Sequence, residues 1–356
     1  MINKLSDRFK KAQESLVVQQ SDFSLKAISE MVSKNYINIE PGYQRRERWS
    51  LWKQAALIES FILNVPVPPI YLSEDDYGIY SVIDGKQRIS AIRNFITDEL
   101  KLTNLKEITE LEGKTFSELP PAIQNALSIR PYIRVITLLK QSDPELKYEV
   151  FLRLNTGGEI LLPQEIRNVA YSGPLNDLLF KLSENKLLAE KLKIKDHKST
   201  AYQNMDDVEH VLRFFTLSDN WKIIGNILNA EMDLYMRNNR RPGQDKIDEM
   251  KNTFTRCIQT CFDLWGKYAF NKPLPGGWRA QLISPLYDAE MVAVSMLKNK
   301  EIDILKNRSK DVIKQTRSLF EDNVEFVKSV TQATNNPANI KRRISEMHSL
   351  LVNLTR

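Results

Sequence analysis

The apolar residues of this chain change their repeat near residue 140, and that change limits the folds open to it. Before it, IYLSE (70–74), IYSVI (79–83) and YIRVITLL (132–139) read as strands, with DDYG supplying hairpin chemistry between the first two. Beyond Asp143, stretches such as DVEHVLRFFTL and QDKIDEMKNTFTRCIQTCFDLW repeat apolar residues at helical spacing. The pattern predicts an α+β N-terminal domain over residues 1–160 and an all-helical C-terminal domain over 161–356. Within the first part, helices are expected over 4–20, from a Ser24 cap to about Asn35, and from a Ser50 cap through Leu51, Ala55, Ile58 and Ile62. YINIE (36–40) alternates like a strand and stops at Pro41-Gly42, VPVPP (65–69) ends the Ser50 helix, and TFSELPPAIQNAL suggests another short helix.

Composition narrows the class. The 356 residues are 42% hydrophobic and 27% charged, which is globular. No apolar run approaches the roughly 20 residues of a membrane-spanning helix. The polar start, MINKLSDRFKKAQESL, has no signal-peptide core. A cytoplasmic protein with no membrane partner is expected. The net charge of +6 permits contact with phosphates without establishing it. Cys257 and Cys261 sit at the spacing of one helix face, as two buried small hydrophobes would. His197, His210 and His348 lie in no HNH nuclease pattern. Glu145-Leu-Lys147 has no Pro-Asp partner on a preceding strand, so it is read as a chance tripeptide.

Three segments have the residue types for chemistry. In IDGKQR (83–88), a strand delivers Asp84 to a Gly85 turn and a helix begins at once. A helix start favours anions, Lys86 and Arg88 add positive charge, and Gln87 adds a two-sided amide. Asp84 could hold a metal through water, orient a nucleophilic water, or fix the arginine. An ordinary strand-to-helix turn with a wet basic first turn has the same sequence. In PGYQRRERWSLWKQ (41–54), Gln44 and Arg45 follow a Pro-Gly turn and suit phosphate contact, whereas Trp49 and Trp52 read as core anchors. In FLRLNTGGEILLPQEIRN (151–168), a helix ends in Asn155-Thr156-Gly157-Gly158, and Arg153, Glu165, Arg167 and Asn168 gather around that turn. A helix cap with salt-bridged flanks would look similar.

Taken in order, YQRxxxW, the Ile-Glu-Ser helix at 58–60, the Pro-rich step, DGxQR and FxRxNTGGxxLxxxExRN resemble the N-terminal domain of GmrSD-type restriction proteins. MDDVEHVLRFF and LNAEMDLYM resemble the family's later pattern, which would extend the likeness over nearly the whole chain. The resemblance implies a ParB/sulfiredoxin-like fold whose DGQQR-type motif binds and hydrolyses a nucleoside triphosphate, with Mg2+. It also implies a role in restriction of modified DNA or other phage defence. Carried over, Asp84, Gly85, Lys86, Gln87 and Arg88 would line the phosphates, with Asp84, Gln87 and Arg88 in the catalytic role. Gln44 and Arg45 would flank them, and Arg153, Asn155, Thr156 and Gly157 would approach from the other side. Lys86 stands where the family has glutamine, a departure that touches the hydrolytic step. With no nuclease pattern of its own, the chain is expected to work with a separately encoded nuclease or effector. The competing expectations are a DNA-binding adaptor of the same fold without turnover, and a regulator that binds only protein.

Overall fold

The computed structural model describes residues 16–39, 49–154, 162–196 and 198–356. It divides into two compact units, Met1–Ala170 and Tyr171–Arg356. In the first, β1 (Val18–Ser24) runs straight into α1 (Leu25–Ser33), where Ser24 Oγ accepts from the Ala27 amide at 3.3 Å. Next come β2 (Ile37–Asn38), α2 (Leu51–Ile62), β3 (Ile70–Asp76), β4 (Ile79–Asp84) and α3 (Lys86–Ile96). The unit continues through α4 (Pro121–Ile129), β5 (Tyr132–Leu138), α5 (Pro144–Leu154) and α6 (Pro163–Ala170). The helix expected over 4–20 is corrected at its end: residues 18–20 are strand, and Val18 pairs with Leu138 across an antiparallel ladder. Val17 and Val18 have stiff branched side chains that fit a pleated ladder better than a helix turn. Residues 4–15 of that expectation lie outside the described residues.

The five strands form one mixed sheet in the order β1-β5-β3-β4-β2. β1/β5 and β3/β4 pair antiparallel, β3/β5 and β2/β4 parallel. Both faces are covered. Ile70, Leu72, Val82, Ile133 and Val135 pack with Ile28, Ile58, Ile89 and Phe95 in the larger core. Ile83 and Leu138, from the opposite pleats, pack with Ile166 of α6. This contact explains why α6 belongs to the first unit.

One carboxylate closes the larger core. Glu59 on α2 is only 6% exposed, and its Oε1 accepts from the amides of Lys106, Glu107 and Ile108 at 2.9, 2.8 and 3.2 Å. Burial alone would raise its pKa. The three amides and the Lys106 charge outweigh that and hold it below the usual glutamate value.

The second unit is helical: α7 (Pro174–Ser183), α8 (Lys186–Lys191), α9 (Thr200–Gln203), α10 (Asp206–Asn220), α11 (Leu228–Asn238) and α12 (Gln244–Trp265) come first. A hairpin, β6 (Asn271–Leu274) with β7 (Gly277–Leu282), interrupts it. Then follow α13 (Ser284–Ser295), α14 (Asn299–Asn307), α15 (Ser309–Asp322), α16 (Val324–Thr331) and α17 (Pro337–Asn353). The turn of that hairpin is Pro275-Gly276, between the paired Leu274 and Gly277. Asp288 lies at the centre, fully buried. Its Oδ1 accepts from Arg213 Nε at 3.0 Å, and its Oδ2 from Arg213 Nη2 and Arg343 Nη2, both at 2.6 Å. Cys257 and Cys261 are free and buried, and burial pushes the Cys257 thiol up to about 11. Among the described residues, no helix is long and apolar enough to cross a membrane.

Glu59→Gln should destabilise the protein by about 2–3 kcal/mol in denaturant unfolding at neutral pH, because amides bound to a charged acceptor are worth more than neutral bonds. The folded-state pKa is depressed, so the native carboxylate contribution is full above the usual value of 4.5 and fades as pH falls through the lower folded value. The gap between wild type and Glu59→Gln should therefore narrow below that pH. A constant gap would show that the charge on Glu59 is not what stabilises the loop.

Candidate functional site

β4 ends at Asp84, and Gly85 turns the chain with φ +99° into the first residue of α3. Two constraints require glycine there. Left-handed backbone disfavours any side chain, and a Cβ would come within 2.9 Å of Ile70 Cγ1 and 3.2 Å of Arg88 Nη2. The turn places the carboxylate of Asp84 beside the positive end of an 11-residue helix, whose first amides have no acceptor one turn back.

Arg88 folds back over this turn. Its Nη2 donates to Asp84 Oδ2 at 2.6 Å and to the Pro69 carbonyl at 3.1 Å. The Arg88 side chain is 14% exposed and that of Asp84 40%. Arg88 Nε is buried and has no hydrogen-bond partner among the described residues. Gln87 ties the turn to α2: its Oε1 accepts from the Trp49 amide at 3.0 Å. The Trp49 carbonyl accepts from Gln54 Nε2 at 2.8 Å, and Gln54 Oε1 from Asn94 Nδ2 at 3.3 Å. Asp84, Gly85, Gln87 and Arg88 thus form one connected group, and half-buried Lys86 stands at its edge. The arrangement presents a cation and a helix start to an anion, with Asp84 fixing the arginine.

Gln44, Arg45, Asn155, Thr156 and Gly157 lie outside the described residues. Arg153, in the last turn of α5, is 81% exposed and pairs with Glu149 at 3.4 Å. The polar residues of α6 are interior: Gln164 Nε2 donates to Asn168 Oδ1 at 2.9 Å, and Arg167 Nη1 to Gln164 Oε1 at 3.3 Å. Lys147 is also spent inside, on Ser73 Oγ at 3.2 Å and the Glu74 carbonyl at 3.1 Å. Of the two tryptophans expected as core anchors, Trp49 packs against the larger core, but Trp52 is 50% exposed on the first turn of α2, with Lys53 over its ring. Sequence reasoning missed the Pro69 carbonyl and Glu59. The proline run was a usable signal for the first, because prolines supply carbonyls without the donors that would pair them. Among the described residues, no three His, Cys, Asp or Glu side chains group so as to hold a metal ion.

Residues 28–172 match the family model described as GmrSD restriction endonuclease, N-terminal domain. The matched segment, fewer than half of the chain's residues, is similar to that domain. It starts within α1 and ends just after α6, so it holds the Gly85 turn, Glu59 and the polar helix α6. The likeness expected for the helical half falls outside the matched residues. No curated protein and no solved structure matches the chain. The GmrSD domain points to a component of a restriction or phage-defence system.

Gly85→Ala should cost about 2 kcal/mol or more in denaturant unfolding, from left-handed strain of roughly 1–2 kcal/mol plus the contact with Ile70. An unchanged midpoint would mean that the turn is not held at positive φ.

Proposed function

We propose that this chain is the nucleoside triphosphate-binding and -hydrolysing component of a bacterial restriction system. In this reading it is built on a ParB/sulfiredoxin-like domain and works in the cytoplasm with a separately encoded nuclease or effector. The Asp84–Gly85–Arg88 turn carries the reading. It sets a guanidinium with an unused Nε–H beside the positive end of α3, a combination suited to phosphate oxygens. Arg343 in the second unit also keeps an unpartnered Nε, but it is fully enclosed, whereas Arg88 lies next to a carboxylate that solvent reaches. Lys86 adds a second cation at the same edge. Phosphate contacts are assigned to Gln44, Arg45, Arg153, Asn155, Thr156 and Gly157 on the strength of the motif order alone. Magnesium arriving with the triphosphate would find one carboxylate, Asp84, consistent with a cation held by one or two carboxylates and phosphates. Lys86 in place of the family's glutamine favours a second reading, a DNA-binding adaptor of this fold that lacks turnover.

The test pairs two variants in calorimetry and a phosphate-release assay. Arg88→Ala should weaken triphosphate binding by about 1.5–3 kcal/mol, tenfold or more. Because Asp84 holds Arg88 at 2.6 Å, Asp84→Asn should weaken binding alongside it. Binding that survives Asp84→Asn while hydrolysis falls would assign the carboxylate to catalysis instead. Wild-type protein that binds no triphosphate at several hundred micromolar, with magnesium and DNA present, would reject the nucleotide reading.

A further inference from the structure

The hairpin of the helical unit has cations without counterions. Residues 264–287 include Lys267, Lys272 and Arg279 and no Asp or Glu. In the ladder, Pro273 faces Trp278 and Asn271 faces Leu282. Strand alternation puts those four residues on the inner side, where Asn271, Pro273 and Leu282 are buried. Lys272, half-buried where the register shifts between the Asn271 and Pro273 pairs, and exposed Arg279 lie between these inner residues, one on each strand. Like charges on neighbouring strands repel, so two cations so placed favour an anion that lies between them. Among the described residues, no carboxylate pairs with Lys267, Lys272 or Arg279. Nearby cations are neutralised: Lys306 pairs with Asp263 at 2.9 Å and Arg308 with Asp311 at 3.1 Å.

The hairpin is also braced. Trp278 stacks on Tyr268 with ring centroids 4.7 Å apart and planes at 24°. Arg317 of α15 lies 5.3 Å from the Trp278 ring centre. Its Nη1 donates to the Leu274 carbonyl at 3.2 Å and its Nη2 to that of Gly277 at 2.8 Å, one on each side of the tip. Lys314 and Lys310, three and seven residues before Arg317, share its side of α15 and are exposed. The result is a stiff ribbon that presents uncompensated positive charge and sits beside two further lysines.

We propose that this hairpin is a contact surface for duplex DNA, with Lys272 and Arg279 meeting backbone phosphates. A two-stranded ribbon is narrow enough to enter a major groove, and phosphate contacts of this kind fix position without reading sequence. An acidic protein would also complement the charge. The restriction setting of the matched domain favours DNA. The surface lies in the other unit from the Gly85 turn, and its charge does not involve that turn.

Fluorescence anisotropy of the full chain with a labelled duplex, without nucleotide and across a salt series, tests this. Lys272→Gln with Arg279→Gln should lower affinity at least tenfold at low salt. The slope of log affinity against log salt should shrink by about two, at roughly 0.9 per lost phosphate contact. Lys246→Gln, which removes a lysine paired with Glu249 at 3.0 Å, serves as the control and should change the slope little. An unchanged slope in the double variant overturns the proposal. So does a wild-type chain that binds no duplex, or one that prefers polyglutamate to duplex at the same salt. Because nucleotide is absent, none of these results bears on the Gly85 turn.

Discussion

Strand β4 is where the first unit is decided. Val82 enters the larger core, Ile83 the smaller one, and Asp84 emerges at the end of the strand. With a side-chain period of two, a slip of one residue would exchange the two cores and turn the carboxylate away from Arg88. Only two residues of β2 support β4 on one side, so the antiparallel pairing with β3 does most of the aligning. That pairing runs through a hairpin whose turn is Tyr77-Gly78, with Gly78 at φ +73°. Position in the site is therefore inherited from hydrophobic alternation several residues upstream.

Buried charge is used in two ways. Glu59 and Asp288 are enclosed anions whose oxygens accept from surrounding donors, and their role is to organise what touches them. Breaking such a group strands a charge or several donors, so it is costly to remove even where it adds little net stability. Arg88 differs in being incompletely met and close to solvent. An interior cation with spare donor capacity at a helix start suits an incoming anion, which is why the functional reading rests there and not on the larger network around Asp288.

Sequence legibility followed locality. The Ser24 cap, the β3–β4 hairpin and the Asp84-Gly85 turn depend on neighbours in the chain, and their residues announced them. The α+β character was legible for the same reason. β1 was not, because Val18–Ser24 becomes a strand only through partners more than a hundred residues away. The hairpin at 271–282 was not legible, because prolines and glycines break a helical pattern as readily as they turn a ribbon. Glu59 was visible as part of a motif, but nothing local said that its carboxylate would gather three amides from residues 106–108. Trp52 was misjudged because an aromatic near a helix start does not reveal which side of the helix it will occupy.

The shared carboxylate of Asp288 also bears on how the helical unit can diverge. Arg213, Asp288 and Arg343 come from α10, α13 and α17, far apart in the chain, yet both arginines rely on the one carboxylate. Losing Asp288 leaves two enclosed guanidiniums without their shared acceptor, and losing either arginine leaves Asp288 Oδ2 one donor short, with Glu209 at 3.7 Å the other carboxylate on Arg213. The apolar neighbours can drift one at a time through swaps of similar volume. The three ionic positions are coupled, so a change at one alters what a change at the other two costs.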